Sequence, residues 1–191
     1  MSSDKLVARL DRSIVLVGLM GAGKSAVGRR LAARLGLKFI DADAEIEKAA
    51  GCSIADIFEI HGEAAFREGE RRVMARLLKE PPHVLATGGG AFMEEETRER
   101  VRERGISVWL RADIELLLSR VSRRDDRPLL KSGNKREILN QLIEQRHPIY
   151  AKADIVVDSE DLPHDRMVDK ILAALNSHLR SHAPLTHGST G

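Results

Sequence analysis

The chain has little cysteine, few aromatic residues and no long apolar run. Cys52 is the only cysteine among 191 residues, so no intrachain disulfide can form, and a reducing compartment suits a lone thiol. Aromatic residues make up 3%, which disfavours a protein that stacks single-stranded nucleic acid on aromatic side chains. No stretch reaches the roughly 18 consecutive apolar residues of a membrane-spanning helix, and the N-terminus lacks the apolar segment of a signal peptide. We therefore expect a cytoplasmic protein that binds neither membrane nor nucleic acid.

The chain also lacks a large excess of either positive or negative charge. The 31 basic and 29 acidic residues leave a formal net charge of +2, which does not mark a nucleic-acid-binding protein. A hydrophobic fraction of 42% in a chain of this length suits one globular domain with an aliphatic core. We expect an N-terminal extension over residues 1–13, a single domain over residues 14–179 and a disordered tail over residues 180–191. We also expect a monomer.

Short β-rich runs alternate with helical patterns, which is typical of a parallel sheet covered by helices. Strands are predicted over residues 14–17, 38–40, 83–86, 107–110 and 155–157. Helices are predicted over residues 24–35, 44–50, 53–60, 63–79, 94–104, 135–146 and 165–179, and one more begins near Asp113. Residues 122–134 break the pattern, and so long a break inside a domain indicates either a functional lid or a disordered segment.

Residues 18–25, GLMGAGKS, match the phosphate-binding pattern G-x-x-x-x-G-K-[ST] at every position. They lie between a predicted buried strand and a predicted helix, where backbone N–H groups and the helix N-terminus can hold phosphates. Lys24 should reach the β- and γ-phosphates, and the Ser25 hydroxyl should bind Mg²⁺. The alternative is a glycine-rich turn that matches by chance, and the strand–loop–helix context argues against it. The predicted ATP-binding residues of this loop are Gly21, Ala22, Gly23, Lys24, Ser25 and Ala26.

Two carboxylates, Asp41 and Asp43, follow the predicted second strand. The ligand crevice of an open α/β sheet lies at the carboxyl ends of its strands, and residues two apart in an extended segment point the same way. One carboxylate can then hold the water shell of Mg²⁺ while the other addresses the hydroxyl of an acceptor. The alternative is that both only cap the following helix, with Asp43 as an acceptable N-cap.

Two further features point to the same crevice. The third predicted strand runs into Gly88-Gly89-Gly90, which is either a flexible turn or a surface where an acceptor lies against backbone N–H groups. In the helix that contains Phe66, Glu70 takes a position where a core residue is usual, and Arg67 is spaced to pair with it. This pair is either a surface ion pair or the wall of a site for a small polar ligand.

The predicted lid is rich in arginine. It contains Arg123, Arg124 and Arg127 beside Asp125 and Asp126. Arginine suits the transition state of phosphoryl transfer because its planar group can bridge two oxygens. The segment is therefore either a lid that closes over ATP and excludes water or a solvated charge cluster.

Taken together, these segments resemble the shikimate kinase family from about residue 14 to residue 178. The matching pieces are the P-loop with its following Gly28, FIDAD (39–43), SIADIF (53–58), FREGE (66–70), GGGA (88–91), RPLL (127–130) and RHPIY (146–150). The resemblance implies a three-layer α/β/α fold like that of nucleoside monophosphate kinases. It also implies a five-stranded parallel sheet in the order 2-3-1-4-5 and a mobile lid.

The resemblance further implies a reaction, in which the γ-phosphate of ATP passes to the 3-hydroxyl of shikimate during the biosynthesis of chorismate and aromatic amino acids. It implies that Lys24, Asp43 and Arg127 are catalytic, and that Arg127 also contacts ATP from the lid. Asp41 would act on Mg²⁺ through water. The implied shikimate-binding residues are Asp43, Phe58, Phe66, Arg67, Glu70, Gly89 and Arg146, with the two arginines on the carboxylate.

Two rival interpretations remain open. A related small-molecule kinase that phosphorylates gluconate or a nucleotide would share the P-loop and the paired arginines. A nucleotide-dependent regulatory protein would use the same fold as a sensor. We do not expect the second, because only 17 residues precede Gly18, too few for a helix-turn-helix module.

Overall fold

Five short parallel strands form the centre of the fold in a computed structural model that describes residues 6–122 and 134–182. The strands are β1 (Ser13–Val17), β2 (Phe39–Asp41), β3 (Val84–Ala86), β4 (Gly105–Arg111) and β5 (Ile155–Asp158). Their order in the sheet is β2-β3-β1-β4-β5, so the predicted order is confirmed. Every residue of the central strand β1 is buried, which explains why that strand is a continuous apolar run rather than an alternating one.

Seven α-helices within the described residues cover this sheet. They are α1 (Lys24–Leu35), α2 (Ala42–Ala50), α3 (Ile54–Leu77), α4 (Glu95–Arg104), α5 (Ile114–Val121), α6 (Lys135–Tyr150) and α7 (His164–Ser181). A short 3₁₀ turn, Ala91–Met93, follows β3. Helix α1 packs on α7, α2 on α3, and α5 on α6. The α/β fold class predicted from the sequence is confirmed.

Helix α3 is kinked at Gly62, the one residue in it whose backbone is not helical. Gly62 has φ 80° and ψ 173°, a backbone conformation open almost only to glycine. The two predicted helices, 53–60 and 63–79, are therefore the two parts of α3. Ser53 caps the first part, because its hydroxyl accepts the Asp56 N–H and the Asp56 carboxylate accepts the Ser53 N–H.

Several predicted helix boundaries differ from the structure, and two of the differences have a clear physical reason. Helix α2 begins at Ala42 rather than Ala44, because the Asp41 carboxylate accepts the N–H groups of Asp43 and Ala44 and so acts as the N-cap. Helix α6 continues to Tyr150 instead of ending at Arg146. Pro148 removes one hydrogen bond from that helix, but the fully buried Tyr150 ring stabilises the last turn by packing.

The predicted ends of the domain also need correction. Leu6 and Leu10 are 2% and 8% exposed and belong to the hydrophobic core, so the described part of the N-terminal extension packs against the domain. Helix α7 runs to Ser181, which places Arg180 in a helix and not in the tail. The predicted lid residues 123–133 and the tail residues 183–191 lie outside the described residues. Among those described, no helix combines the length and apolar character that crossing a membrane requires.

Candidate active site

The P-loop joins β1 to α1 through glycines that the geometry requires. Gly18 has φ 139°, and a β-carbon there would lie 2.7 Å from the carbonyl oxygen of Leu110 on the adjacent strand. Gly23 is the N-cap of α1 and has φ 96°, in the left-handed region that favours glycine. The loop therefore turns tightly enough to direct its backbone N–H groups and the start of α1 into one concave space.

Lys24 lies inside this loop. Its Nζ donates to the carbonyl oxygens of Gly18 and Leu19 at 2.7 Å and 2.9 Å, and the residue is only 9% exposed. A buried ammonium held by two backbone carbonyls stays close to the position where the loop would hold phosphates.

The Ser25 hydroxyl donates to Oδ2 of Asp41 at 2.7 Å. The other oxygen, Oδ1, accepts the Asp43 N–H at 3.1 Å. Asp41 thus caps α2 and contacts the P-loop serine at the same time, while Asp43 lies inside the first turn of α2. The prediction that Asp43 might serve as the N-cap is wrong, and so is the extended geometry assumed for the two carboxylates.

This hydroxyl–carboxylate pair suits Mg²⁺. The ion prefers oxygen ligands and usually binds through one or two carboxylates together with water and substrate phosphates. Within residues 6–122 and 134–182 there is no cluster of three or more His, Cys, Asp or Glu side chains that could hold a metal by itself. The residues present therefore fit an ion that arrives with a nucleotide better than a fully protein-bound metal.

Two residues that the sequence did not single out hold the outer side of the P-loop. Arg120 of α5 donates through Nη1 to the carbonyl oxygens of Gly21 and Ala22, at 3.2 Å and 3.3 Å. The Ser159 hydroxyl, just after β5, donates to the same Ala22 oxygen at 3.0 Å and accepts from Arg120 at 3.2 Å. No local motif signals these contacts, because Arg120 and Gly21 are 99 residues apart in the chain, and Ser159 and Ala22 are 137 residues apart.

A cavity of about 390 Å³ opens along the P-loop, at the carboxyl ends of β2 and β3. All the predicted ATP-binding residues of the loop line it except Ala22, which is 1% exposed behind the loop. The other residues that line it are Asp41, Asp43, Thr87, Gly89, Ser119, Arg120, Val121, Asp161, Leu162 and His164. Of the predicted acceptor-binding residues, Asp43 and Gly89 line the same crevice as the predicted nucleotide and metal residues.

Gly88 lies between two carboxylates. A β-carbon on Gly88 would stand 2.8 Å from both Asp43 Oδ1 and Glu70 Oε1. Glu70 is 2% exposed, and within the described part of the chain its Oε1 has no hydrogen-bond partner. Burial raises the pKa of Glu70, the nearby Asp43 charge adds to this effect, and Arg67 and Arg146 oppose it.

Gly89 and Gly90 lie beside two arginines. A β-carbon on Gly89 would be 3.3 Å from Nη1 of Arg146, and one on Gly90 would be 2.6 Å from the guanidinium carbon of Arg67. None of the three consecutive glycines has a positive φ. Their lack of side chains leaves room for charged neighbours, so they are more than a flexible turn. That an acceptor lies against their N–H groups stays a prediction.

The Arg67–Glu70 pair is buried, so the surface-pair interpretation is wrong. Arg67 Nη1 donates to Glu70 Oε2 at 2.7 Å, and the two side chains are 17% and 3% exposed. The Arg67 guanidinium carbon lies 5.0 Å from the centre of the Phe66 ring, and that ring is 4.8 Å from the ring of Phe58. The two phenylalanines thus support the arginine from α3.

The other predicted acceptor residues lie beside this cavity. Phe58, Phe66, Arg67, Glu70 and Arg146 do not line the cavity themselves but adjoin it through Asp43 and Gly89. Arg127 lies outside the described residues, so its contact with ATP stays a prediction.

A P-loop at the carboxyl edge of a parallel sheet, with a serine–aspartate pair that suits Mg²⁺ and a charged pocket beside it, is typical of a P-loop kinase. The comparison with known proteins narrows this class. A family model described as shikimate kinase matches residues 20–176, and the chain belongs to the shikimate kinase family.

Individual relatives agree with this membership. A shikimate kinase of Paramagnetospirillum magneticum is 62% identical over 91% of this chain and 89% of the relative. One of Rhodopseudomonas palustris is 56% identical over 94% of this chain and 89% of the relative. A solved structure of shikimate kinase from Acinetobacter baumannii in complex with shikimate has a TM-score of 0.84 and 41% identity, covering 87% of this chain and 93% of that one.

Proposed function

We propose that this protein transfers the γ-phosphate of ATP to the 3-hydroxyl of shikimate, giving shikimate 3-phosphate and ADP. The observation that carries the proposal is the convergence of Asp43, Arg67 and Arg146 on the glycines beside the P-loop. Two arginines can bind a carboxylate, and an aspartate can accept a hydrogen bond from a hydroxyl. Membership of the shikimate kinase family supports the same acceptor.

The roles of the residues follow from their positions. The P-loop and Lys24 hold the phosphates, and Ser25 and Asp41 would hold Mg²⁺, the latter through water. When bound, the ion neutralises charge on the phosphate oxygens. Asp43 orients the 3-hydroxyl and accepts its proton as the bond from that oxygen to the γ-phosphorus forms and the bond from the γ-phosphorus to the bridging oxygen of ADP breaks.

The acceptor is held on its other sides by the remaining residues of the pocket. Arg67 and Arg146 bind the carboxylate of shikimate, and Glu70 orients Arg67 through the buried ion pair. The Gly89 N–H meets a hydroxyl, and Phe58 and Phe66 flank the ring. Arg127 would reach the phosphates from the lid.

We also propose a cytoplasmic location for the enzyme. A lone cysteine, half-buried at position 52, suits the cytoplasm. The monomeric state and the lack of nucleic-acid and membrane partners stay predictions. Sedimentation and a gel shift with generic DNA would test them, and a DNA complex would favour the regulatory rival.

A coupled assay of ADP release tests the proposed reaction and its rivals. We expect ADP release with shikimate and none with gluconate or AMP. Lys24→Ala should lower kcat by about 10²–10³, because it removes a charge that stabilises the transition state. Lys152→Ala, which changes an exposed lysine outside the crevice, serves as the matched control and should retain wild-type turnover. Turnover with gluconate or AMP but not with shikimate would refute the proposal.

A further inference from the structure

Tyr150 is the only tyrosine in the chain and is fully buried, at 0% exposure. It lies in the last turn of α6, four residues after Arg146. Residues four apart on a helix lie on the same face. The tyrosine is therefore placed next to a proposed acceptor-binding arginine, although the reaction proposed above gives it no part.

The hydroxyl of Tyr150 donates a hydrogen bond to the carbonyl oxygen of Gly89. The N–H of the same glycine is one of the groups proposed to contact the acceptor. Burial raises the pKa of Tyr150 to about 12, so the hydroxyl keeps its proton and remains a donor at neutral pH. This bond therefore ties the end of α6 to the glycine loop after β3.

The same hydroxyl lies near Arg146. The positive charge of Arg146 opposes the effect of burial on the pKa of Tyr150. Because a guanidinium only donates hydrogen bonds, the tyrosine oxygen is the atom that can face Arg146 while its proton goes to Gly89. Arg146 Nη1 lies 3.3 Å from the position of a β-carbon on Gly89, so one hydroxyl sets the place of both groups.

The ring of Tyr150 is held by other rings. Its centre lies 6.5 Å from that of Phe92, 5.8 Å from that of Trp109 and 6.4 Å from that of His147. Close packing on several sides restricts the ring to one orientation. The packing of the ring therefore keeps the Tyr150 hydroxyl in one position.

We propose that Tyr150 is a positioning residue of the acceptor pocket. Its hydroxyl holds the Gly89 backbone and the Arg146 guanidinium at the positions from which they contact the acceptor. The inference rests on the proposed function, because the contacts of Gly89 and Arg146 with shikimate belong to it. Tyr150 itself does not touch the reacting atoms.

Steady-state kinetics of Tyr150→Phe test this role. The variant keeps the ring and removes the hydroxyl, so the Gly89 carbonyl loses its donor and Arg146 loses a polar neighbour. We expect the KM for shikimate to rise by about tenfold or more, the usual scale for lost buried hydrogen bonds to a charged group. The KM for ATP should change less than about twofold, since the P-loop is untouched. Calorimetric titration with shikimate should show the same loss in affinity.

Ile171→Val is the matched control for stability. Ile171 is fully buried in α7, and removing one methylene lowers stability without touching the pocket. This control should lower Tm and leave both KM values unchanged. If Tyr150→Phe behaves like Ile171→Val, Tyr150 is only a packing residue and the inference is wrong.

The experiment separates this inference from the proposed function. Wild-type protein is assayed first with shikimate, gluconate and AMP, and the acceptor that it turns over becomes the probe for Tyr150→Phe. Turnover with another acceptor refutes the proposed function, while a selective rise in the KM of that acceptor still supports the role of Tyr150. Wild-type protein that neither turns over nor binds any of the three would overturn both.

Discussion

At Gly90 the guanidinium of Arg67 occupies the space that any side chain would need. The guanidinium carbon is 2.6 Å from the position of a β-carbon, whereas atoms in van der Waals contact are at least about 3.5 Å apart. Arg67 cannot retreat easily, because it is paired with buried Glu70. A single methyl group at this position should therefore displace the arginine from the acceptor pocket.

Gly90→Ala should raise the KM for shikimate by about tenfold or more, because a displaced charge-assisted contact is worth about 1.5–3 kcal/mol. The KM for ATP should remain near the wild-type value. A kinetic double-mutant cycle with Arg67→Ala checks the cause. If Gly90→Ala acts through Arg67, it should have little further effect in the Arg67→Ala background. Additive effects of the two changes would show that Gly90 acts in another way.

How far single residues could be predicted depended on how close their partners are in the chain. The P-loop lysine and serine were found from sequence alone, because every residue of that motif is consecutive. The neighbours of Gly88 could not be found in this way, because Asp43 and Glu70 reach it from two other elements. Arg146 was identified only through the family resemblance.

At the scale of elements, Asp41 joins the second strand, the second helix and the P-loop. Its two carboxylate oxygens have different partners. Oδ1 accepts hydrogen bonds from backbone N–H groups of α2, and Oδ2 accepts one from the Ser25 hydroxyl. The sequence left capping and metal binding as alternatives. The geometry allows one carboxylate to do both, and the two roles respond differently to substitution.

Asp41→Asn and Asp41→Ala should separate these two roles. Asparagine caps helices about as well as aspartate, so Asp41→Asn should keep the wild-type free energy of unfolding but need about tenfold more Mg²⁺ for half-maximal activity. Asp41→Ala should have the same Mg²⁺ requirement or a higher one and lose about 1 kcal/mol of stability as well. Urea denaturation and Mg²⁺ titration of turnover measure the two effects. An unchanged Mg²⁺ requirement in Asp41→Asn would exclude the metal role.

Element boundaries were predictable where local chemistry sets them. Helix α1 was predicted to the residue, because its P-loop start and its stop at Gly36 in the left-handed conformation are both local signals. The end of α6 was not, because burial of Tyr150 outweighs the local effect of Pro148. The burial of Tyr150 depends on elements that are far away in the chain. The spacing of apolar residues along α6 does not reveal such contacts.

At the scale of the whole molecule, the predicted nucleotide-binding and acceptor-binding residues lie at one edge of the sheet. In a parallel sheet the carboxyl ends of all strands meet at the same edge, and the order β2-β3-β1-β4-β5 puts β1 and β3 side by side there. The P-loop after β1 and the glycines after β3 are therefore neighbours. Alternating strands and helices predicted such an edge, whereas the order of the strands came from the family resemblance.

Protonation of three half-buried histidines links pH to the stability of the whole fold. Burial lowers the pKa of His147, His164 and His178, and nearby positive charges add to the effect. Below about pH 6.5 the unfolded chain therefore takes up protons that the folded chain binds more weakly. Stability from these groups is fully present above that pH and is lost as the pH falls through their folded pKa values. Glu70 acts in the opposite sense, because burial raises its pKa.

Urea denaturation followed through Trp109, the only tryptophan and 4% exposed, measures this dependence. The midpoint should be lower at pH 5.5 than at pH 7.5. His178→Gln removes one of the three groups from α7, outside the residues that line the crevice, and should reduce the difference between the two midpoints. His61→Gln changes an exposed side chain and should leave the wild-type difference in place. Equal midpoints at the two pH values in the wild-type protein would mean that the folded state binds these protons as readily as the unfolded chain does.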